Sequence, residues 1–165
     1  MLIAALAALQ TATACPVEQA VYRPRFDDED GANIEVDFVE FEYPVAPWSD
    51  VQLRVSATPL DEPIWLTVVT GIGYSIPTAF ITERGPRTPD EANDWMPPTA
   101  YAVSLGQTDV FAFDGDYDAI TDVPMAGEPA PDHLFLPGLG LLLWYGEARI
   151  LMPPVMLDLV DCVED

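Results

Sequence analysis

The chain contains no lysine, a single histidine and only two cysteines among its 165 residues, and each scarcity closes off a class of function. Its only strong cations are six arginines, set against 28 acidic residues for a formal net charge of -22. Phosphate backbones are bound by clustered Lys and Arg, so the composition excludes nucleic acid as a partner. An anionic membrane surface is disfavoured on the same ground. With His133 as the sole histidine, any Ser-His-Asp arrangement has one choice of base, and a usual zinc site lacks ligands. No apolar run approaches the roughly 20 residues that a transmembrane helix needs. Gly71-x-Gly73 lacks the third glycine of a dinucleotide loop, and no Walker sequence is present.

What is present is strand signal, densest over residues 50–82. Val51, Leu53, Val55 and Ala57 alternate with Gln52, Arg54 and Ser56, the period of a half-buried strand. After the breakers Pro59, Asp61 and Pro63, the run Ile64 to Thr70 carries β-branched and aromatic residues on both faces, as a strand covered on both sides would. Earlier, Val21 and Tyr22 begin an expected edge strand before the acidic turn 27–31. Ile34, Val36 and Phe38 then share one face, whereas Val39, Phe41 and Tyr43 continue one residue out of step, which predicts a bulge near Phe38-Val39.

Beyond Gly71–Pro77 a short strand is expected over Ala79 to Thr82, followed by a long loop, Glu83 to Thr99. Inside it, Thr88-Pro89-Asp90-Glu91 has capping-box form with Pro at the first helical position, predicting one or two helical turns to about Trp95. Tyr101 to Leu105 and Val110 to Phe113 read as strands. A second long loop, Asp114 to Asp132, precedes apolar runs at Leu134–Leu136, Leu139–Tyr145, Ala148–Met152 and Val155–Val160, all read as strands. The sum is an all-β protein: a single antiparallel β-sandwich over residues 15–165, with a barrel as second choice and one short helix in a long loop.

Residues 1–14 read as a signal peptide. Leu2 to Leu9 is a short apolar run, and Ala12-Thr13-Ala14 has the small-x-small form of a cleavage site before Cys15. No Lys or Arg precedes the run, which leaves a plain core helix open. Export to the periplasm or medium permits a Cys15–Cys162 disulfide. The rival is a lipid anchor on Cys15, although Ala12 stands where such signals carry a branched apolar residue.

Nothing in the chain declares a chemistry. Asp114, Asp116, Asp118 and Asp122 could turn several oxygens towards calcium, but Ala119 and Met125 occupy the two most diagnostic EF-hand positions, and a solvated acidic turn is the commoner use of such a cluster. Gly73-Tyr74-Ser75-Ile76-Pro77 shares Gly-x-Ser with a nucleophile elbow and would need His133, yet Pro77 replaces the second glycine. Glu40 and Glu42 lie on the outer face of a strand, where paired acids are usually solvated rather than catalytic. Of the four tryptophans, Trp65 is expected in the core and Trp95 on an exposed loop as a ligand contact. The expectation is an exported, non-catalytic domain that binds a protein or small molecule or serves a structural accessory role. A calcium-dependent module and a hydrolase using Ser75 and His133 are the alternatives.

Overall fold

The structure, a computed structural model, describes residues 14–25, 33–43, 50–69, 76–85, 88–94, 106–146 and 149–163. It is all-β and antiparallel. The strands are β1 (Ala20–Pro24), β2 (Glu35–Glu40), β3 (Val51–Ser56), β4 (Ile64–Val69) and β5 (Thr78–Thr82), then β6 (Gln107–Asp109), β7 (Phe111–Phe113), β8 (Ala119–Ile120), β9 (His133–Phe135) and β10 (Met156–Cys162). They form one hydrogen-bonded sheet in the order β6-β5-β4-β3-β2-β1-β10-β9-β7-β8. Only Val110 separates β6 from β7, although β6 pairs with β5 and β7 with β9. The sheet must therefore curl until strands far apart in its order meet within one residue of chain.

Alternation decides which face is buried. Val36, Phe38, Val51, Leu53, Val55, Leu66, Val68, Leu134 and Leu157 all fill the inner side of the curl. The opposite face is also covered around β3, because Gln52 is buried there beside Thr67. The Gln52 amide donates to Thr67 Oγ1 at 2.9 Å, Thr82 Oγ1 at 3.1 Å and the Glu83 carbonyl at 3.2 Å, while its Oε1 accepts from the Gly85 N–H at 2.7 Å. These bonds draw segment 83–85 across the outer face. Gly85 has to be glycine at that point, since a Cβ would enter the Phe41 ring.

That outer cover accounts for the apolar residues that fall out of step in β2. The register from Glu35↔Ser56 to Glu40↔Val51 runs without a break, so no bulge occurs at Phe38-Val39. Val39 pairs with Gln52 and faces outward with it, and Phe41, buried, continues on that side. A register shift does occur between Val21 and Tyr22, where Val21 faces Asp161 and Tyr22 faces Leu159, leaving Val160 as the extra residue in β10. β1 is not an edge strand as expected; it lies between β2 and β10. Its position follows from the chain's C-terminal strand pairing with its N-terminal one.

Among the described residues a 3-10 turn, Val17–Gln19, and two α-helices accompany the sheet. α1 (Pro89–Asp94) starts as its capping sequence predicts, with Thr88 Oγ1 accepting from the Glu91 N–H at 3.2 Å. α2 (Leu139–Tyr145) replaces an expected strand. The run Leu-Gly-Leu-Leu-Leu-Trp-Tyr has no β-branched residue, and leucine is a strong helix former. Leu139, Leu142 and Leu143 recur at helical spacing and pack into the inner core. Residues 149–152, also expected as a strand, form no regular element: Arg149 takes a φ of 54°, and Ile150 and Met152 are buried from a loop.

The first and last described segments are tied together. Cys15 and Cys162 lie at disulfide distance, with S–S 2.18 Å and Cα–Cα 5.8 Å. Beside them the Cys15 carbonyl accepts from the Ala130 N–H at 2.7 Å, and the Val17 N–H donates to the Glu128 carbonyl at 2.9 Å. No helix among the described residues is long and apolar enough to cross a membrane.

Candidate functional site

A broad concave surface follows from the shape of α2. Its inward stripe is Leu139, Leu142 and Leu143, but the residues between are apolar too, so a second stripe at i, i+3, i+4 points outward. Leu141 is 57% exposed, Trp144 41% and Tyr145 59%. The helix stops at Gly146, whose N–H caps the Leu142 carbonyl at 3.0 Å. Past that end the sheet presents Ile64, Trp65 and Ile81, the last 42% exposed. Together with the 59–63 turn they enclose a groove of about 1360 Å³ whose helix wall is Leu142, Tyr145 and Gly146.

The groove's rim is acidic. Asp61, Glu62 and Glu83 are exposed along it, and among the described residues Arg84 is the one arginine lining it. Arg84 is already engaged: its guanidinium lies 5.5 Å from the Trp65 ring centroid and 3.8 Å from the Glu42 carboxylate. Trp65, expected in the core, is thus a half-buried outer-face residue under an arginine.

A second constellation forms on the outer side of β9 and β10. His133 and Asp158 are register partners, and His133 Nδ1 sits 2.8 Å from Asp158 Oδ1. Arg25 clamps the same carboxylate with Nε to Oδ2 at 2.7 Å and Nη2 to Oδ1 at 2.6 Å, and donates to the Tyr117 hydroxyl at 2.7 Å. The Tyr117 ring completes the cluster by stacking on His133 with centroids 4.4 Å apart and planes 4° from parallel. The hydrogen-bonded guanidinium of Arg25 holds the Asp158 carboxyl below the usual carboxylate range; burial opposes it, and the imidazole of His133 adds a smaller lowering.

Tyr117 takes a φ of 66°, a conformation that favours Gly or Asn. The turn 114–117, closed by the Tyr117 N–H on the Asp114 carbonyl at 3.0 Å, places it there. The ring stack and the Arg25 contact offset that backbone cost. Nearby, Tyr22 is buried and donates its hydroxyl to the Pro131 carbonyl at 2.8 Å. Burial, with the Asp132 charge adding, pushes this phenol above its ordinary range, so it remains a neutral donor pinning the end of the 114–132 loop.

The residues singled out in the sequence fall as follows. Asp114 Oδ1 accepts the N–H groups of Asp116 at 3.0 Å and Asp118 at 2.9 Å, which makes it the acceptor of an Asx-type turn between β7 and β8. Asp116, Asp118 and Asp122 are exposed. Among the described residues no group of three or more His, Cys, Asp or Glu side chains is placed to share a metal ion. His133 lies in β9 with Asp158, while Ser75 and Trp95 lie outside the described residues. Glu40, the last residue of β2, pairs with Val51, and Glu42 lies just beyond the strand with Arg84 near it; both acids are exposed.

Sequence reasoning did not find the partners of His133, because Arg25 and Asp158 are 133 residues apart and only the sheet brings them together. The outward stripe of α2 did carry a signal. The spacing of Leu141, Trp144 and Tyr145 repeats that of the buried leucines, and reading the run as helix would have exposed it. A scan against protein-family models gives no match, and no curated protein or solved structure is significantly similar to this chain.

Proposed function

We propose that this chain is an exported β domain, periplasmic or secreted, that works by binding a partner and not by catalysis. The observation that carries the reading is the groove beside α2. An apolar stripe on a helix that is apolar all round, in a chain whose surface is otherwise densely acidic, is the kind of surface that is kept for a contact. Export is supported by the Cys15–Cys162 pair, since bridges of this kind persist in oxidising compartments. The same pairing argues against a lipid on Cys15, whose sulfur would be occupied by Cys162.

Two measurements test the two halves. The intact mass of protein from its native host, with thiol labelling before and after reduction, should show a chain starting at Cys15 that takes label only once reduced. A lipid-sized addition on Cys15, or free thiols throughout, would sink the export-and-bridge half. A photo-crosslinking residue at Tyr145, where the outward stripe meets the groove, should trap a partner in the native host, whereas one at exposed Asp116 should not; equal trapping at both positions would sink the binding half.

A further inference from the structure

The chemistry of the groove narrows what can occupy it, and the narrowing rests on the binding reading above. We infer that the groove docks a cationic amphipathic segment of a partner protein, with aromatic or leucine anchors against Tyr145 and Ile81 and Lys or Arg towards Asp61, Glu62 and Glu83.

Three observations converge on this occupant. First, both walls present apolar side chains, exposed Tyr145 from α2 and Ile64 and exposed Ile81 from the sheet, so the occupant must bring apolar side chains. Second, the rim carries three exposed carboxylates, and Arg84, the one arginine lining it among the described residues, is turned to Glu42 and the Trp65 face. An anionic or neutral segment would leave those carboxylates uncompensated on docking, whereas Lys or Arg beside the anchors would pair with them. Third, the whole chain carries -22, so its field attracts a cationic segment over the distance of a Debye length and steers its approach.

The same charge argues against the other occupants of an apolar groove. A second copy would bring another -22 against the first, and an anionic bilayer would be repelled likewise. An amphipathic segment laid into a groove between a helix and a sheet is an established mode of peptide recognition, with anchors giving affinity and flanking charge giving selectivity.

The test uses the full, oxidised protein and a synthetic Lys/Leu/Trp peptide whose apolar residues stand at helical spacing. The controls are a scrambled peptide of the same composition, a Glu/Leu/Trp counterpart, and vesicles of zwitterionic and of anionic lipid. The expected result is binding of the cationic amphipathic peptide about tenfold or more tighter than its scramble, with no binding of the Glu peptide. Tyr145→Asp should weaken that binding about tenfold and leave Tm unchanged, because the side chain is exposed; Glu62→Lys should weaken it and reduce its salt dependence. Equal affinity for amphipathic and scrambled peptides, or indifference to Tyr145→Asp, would show attraction by net charge alone and overturn the proposal. Binding to either vesicle, or dimerisation, that Tyr145→Asp abolishes would assign the groove to a bilayer or a second copy and overturn it as well. If no peptide binds while the Tyr145 crosslinker still traps a partner, the inference falls and the binding reading stands.

Discussion

At the scale of single residues, the carboxylates of this chain do different work from what their density implies. Asp158 is held below its ordinary range by Arg25, so between the folded and unfolded values the unfolded chain binds more protons. Its contribution to stability is therefore complete above the unfolded value of about 4 and is lost as pH falls through the folded one. Asp37 has the opposite sign: burial raises it, with Arg54 at 2.6 Å opposing, so its contribution declines as pH rises through its folded value. Asp158→Asn is expected to cost about 1 kcal/mol at neutral pH, a charged hydrogen bond discounted for partial exposure. In urea melts from pH 6 downward, to about pH 3, it should also flatten the acid loss of stability; a variant with the wild-type acid limb would show that another group sets it. Asp114 offers a separate test. As a turn acceptor it can be replaced by Asn, which keeps the oxygen, so Asp114→Asn should leave Tm nearly unchanged while Asp114→Ala lowers stability by about 1 kcal/mol. Calcium ligation predicts instead that both variants, and a chelator on the parent protein, lower Tm alike.

At the scale of elements, α2 holds the most informative single position. Gly140 sits inside the helix, where Gly→Ala ordinarily stabilises by about 1 kcal/mol through helix propensity. Here a Cβ would come within 2.1 Å of the Met152 carbonyl oxygen, a backbone atom that cannot rotate away. Gly140→Ala is therefore expected to destabilise, by about 1–3 kcal/mol as overpacking does, and a rise in Tm would show that residues 149–152 do not lie against the helix as described. The same helix shows where the sequence was legible and where it was not. Val51, Leu53 and Val55 alternate against exposed Arg54, so period alone located β3, and Thr88 with Glu91 located the start of α1. Leu139 to Tyr145 is apolar in every register, and such a run has no period to read; only the absence of β-branched residues distinguishes helix from strand. In β2 the period is legible and its meaning is not. Phe41 is buried on the outer face because Gln52 recruits segment 83–85 there, a contact that no local pattern encodes. The Arg25–Asp158–His133–Tyr117 cluster and the groove were out of reach for the same reason, since both are assembled by the pairing of sequence-distant strands.

At the scale of the whole molecule, two long-range effects oppose each other. Closing a loop between residues 147 positions apart limits the unfolded ensemble, and the chain-entropy argument assigns roughly 5 kcal/mol to such a bridge. Against it, a charge of -22 on one small domain repels itself, and compaction raises that repulsion. Salt screens the repulsion, with a Debye length of about 10 Å at 0.1 M falling to about 3 Å at 1 M. Four ion pairs of the described residues, Arg23–Glu35, Arg25–Asp158, Arg54–Asp37 and Arg84–Glu42, are at least partly exposed and lose strength under the same screening, but exposed pairs of this kind contribute little. The carboxylates outnumber the arginines more than fourfold, so relief of repulsion should exceed loss of attraction. Tm is therefore expected to rise as sodium chloride increases from about 0.05 M to about 1 M. The rise should be larger in reduced protein than in oxidised, because without the bridge the unfolded chain expands further and escapes more of its own charge on unfolding. A Tm that falls with salt would mean that the arginine pairs, few as they are, outweigh the acidic shell.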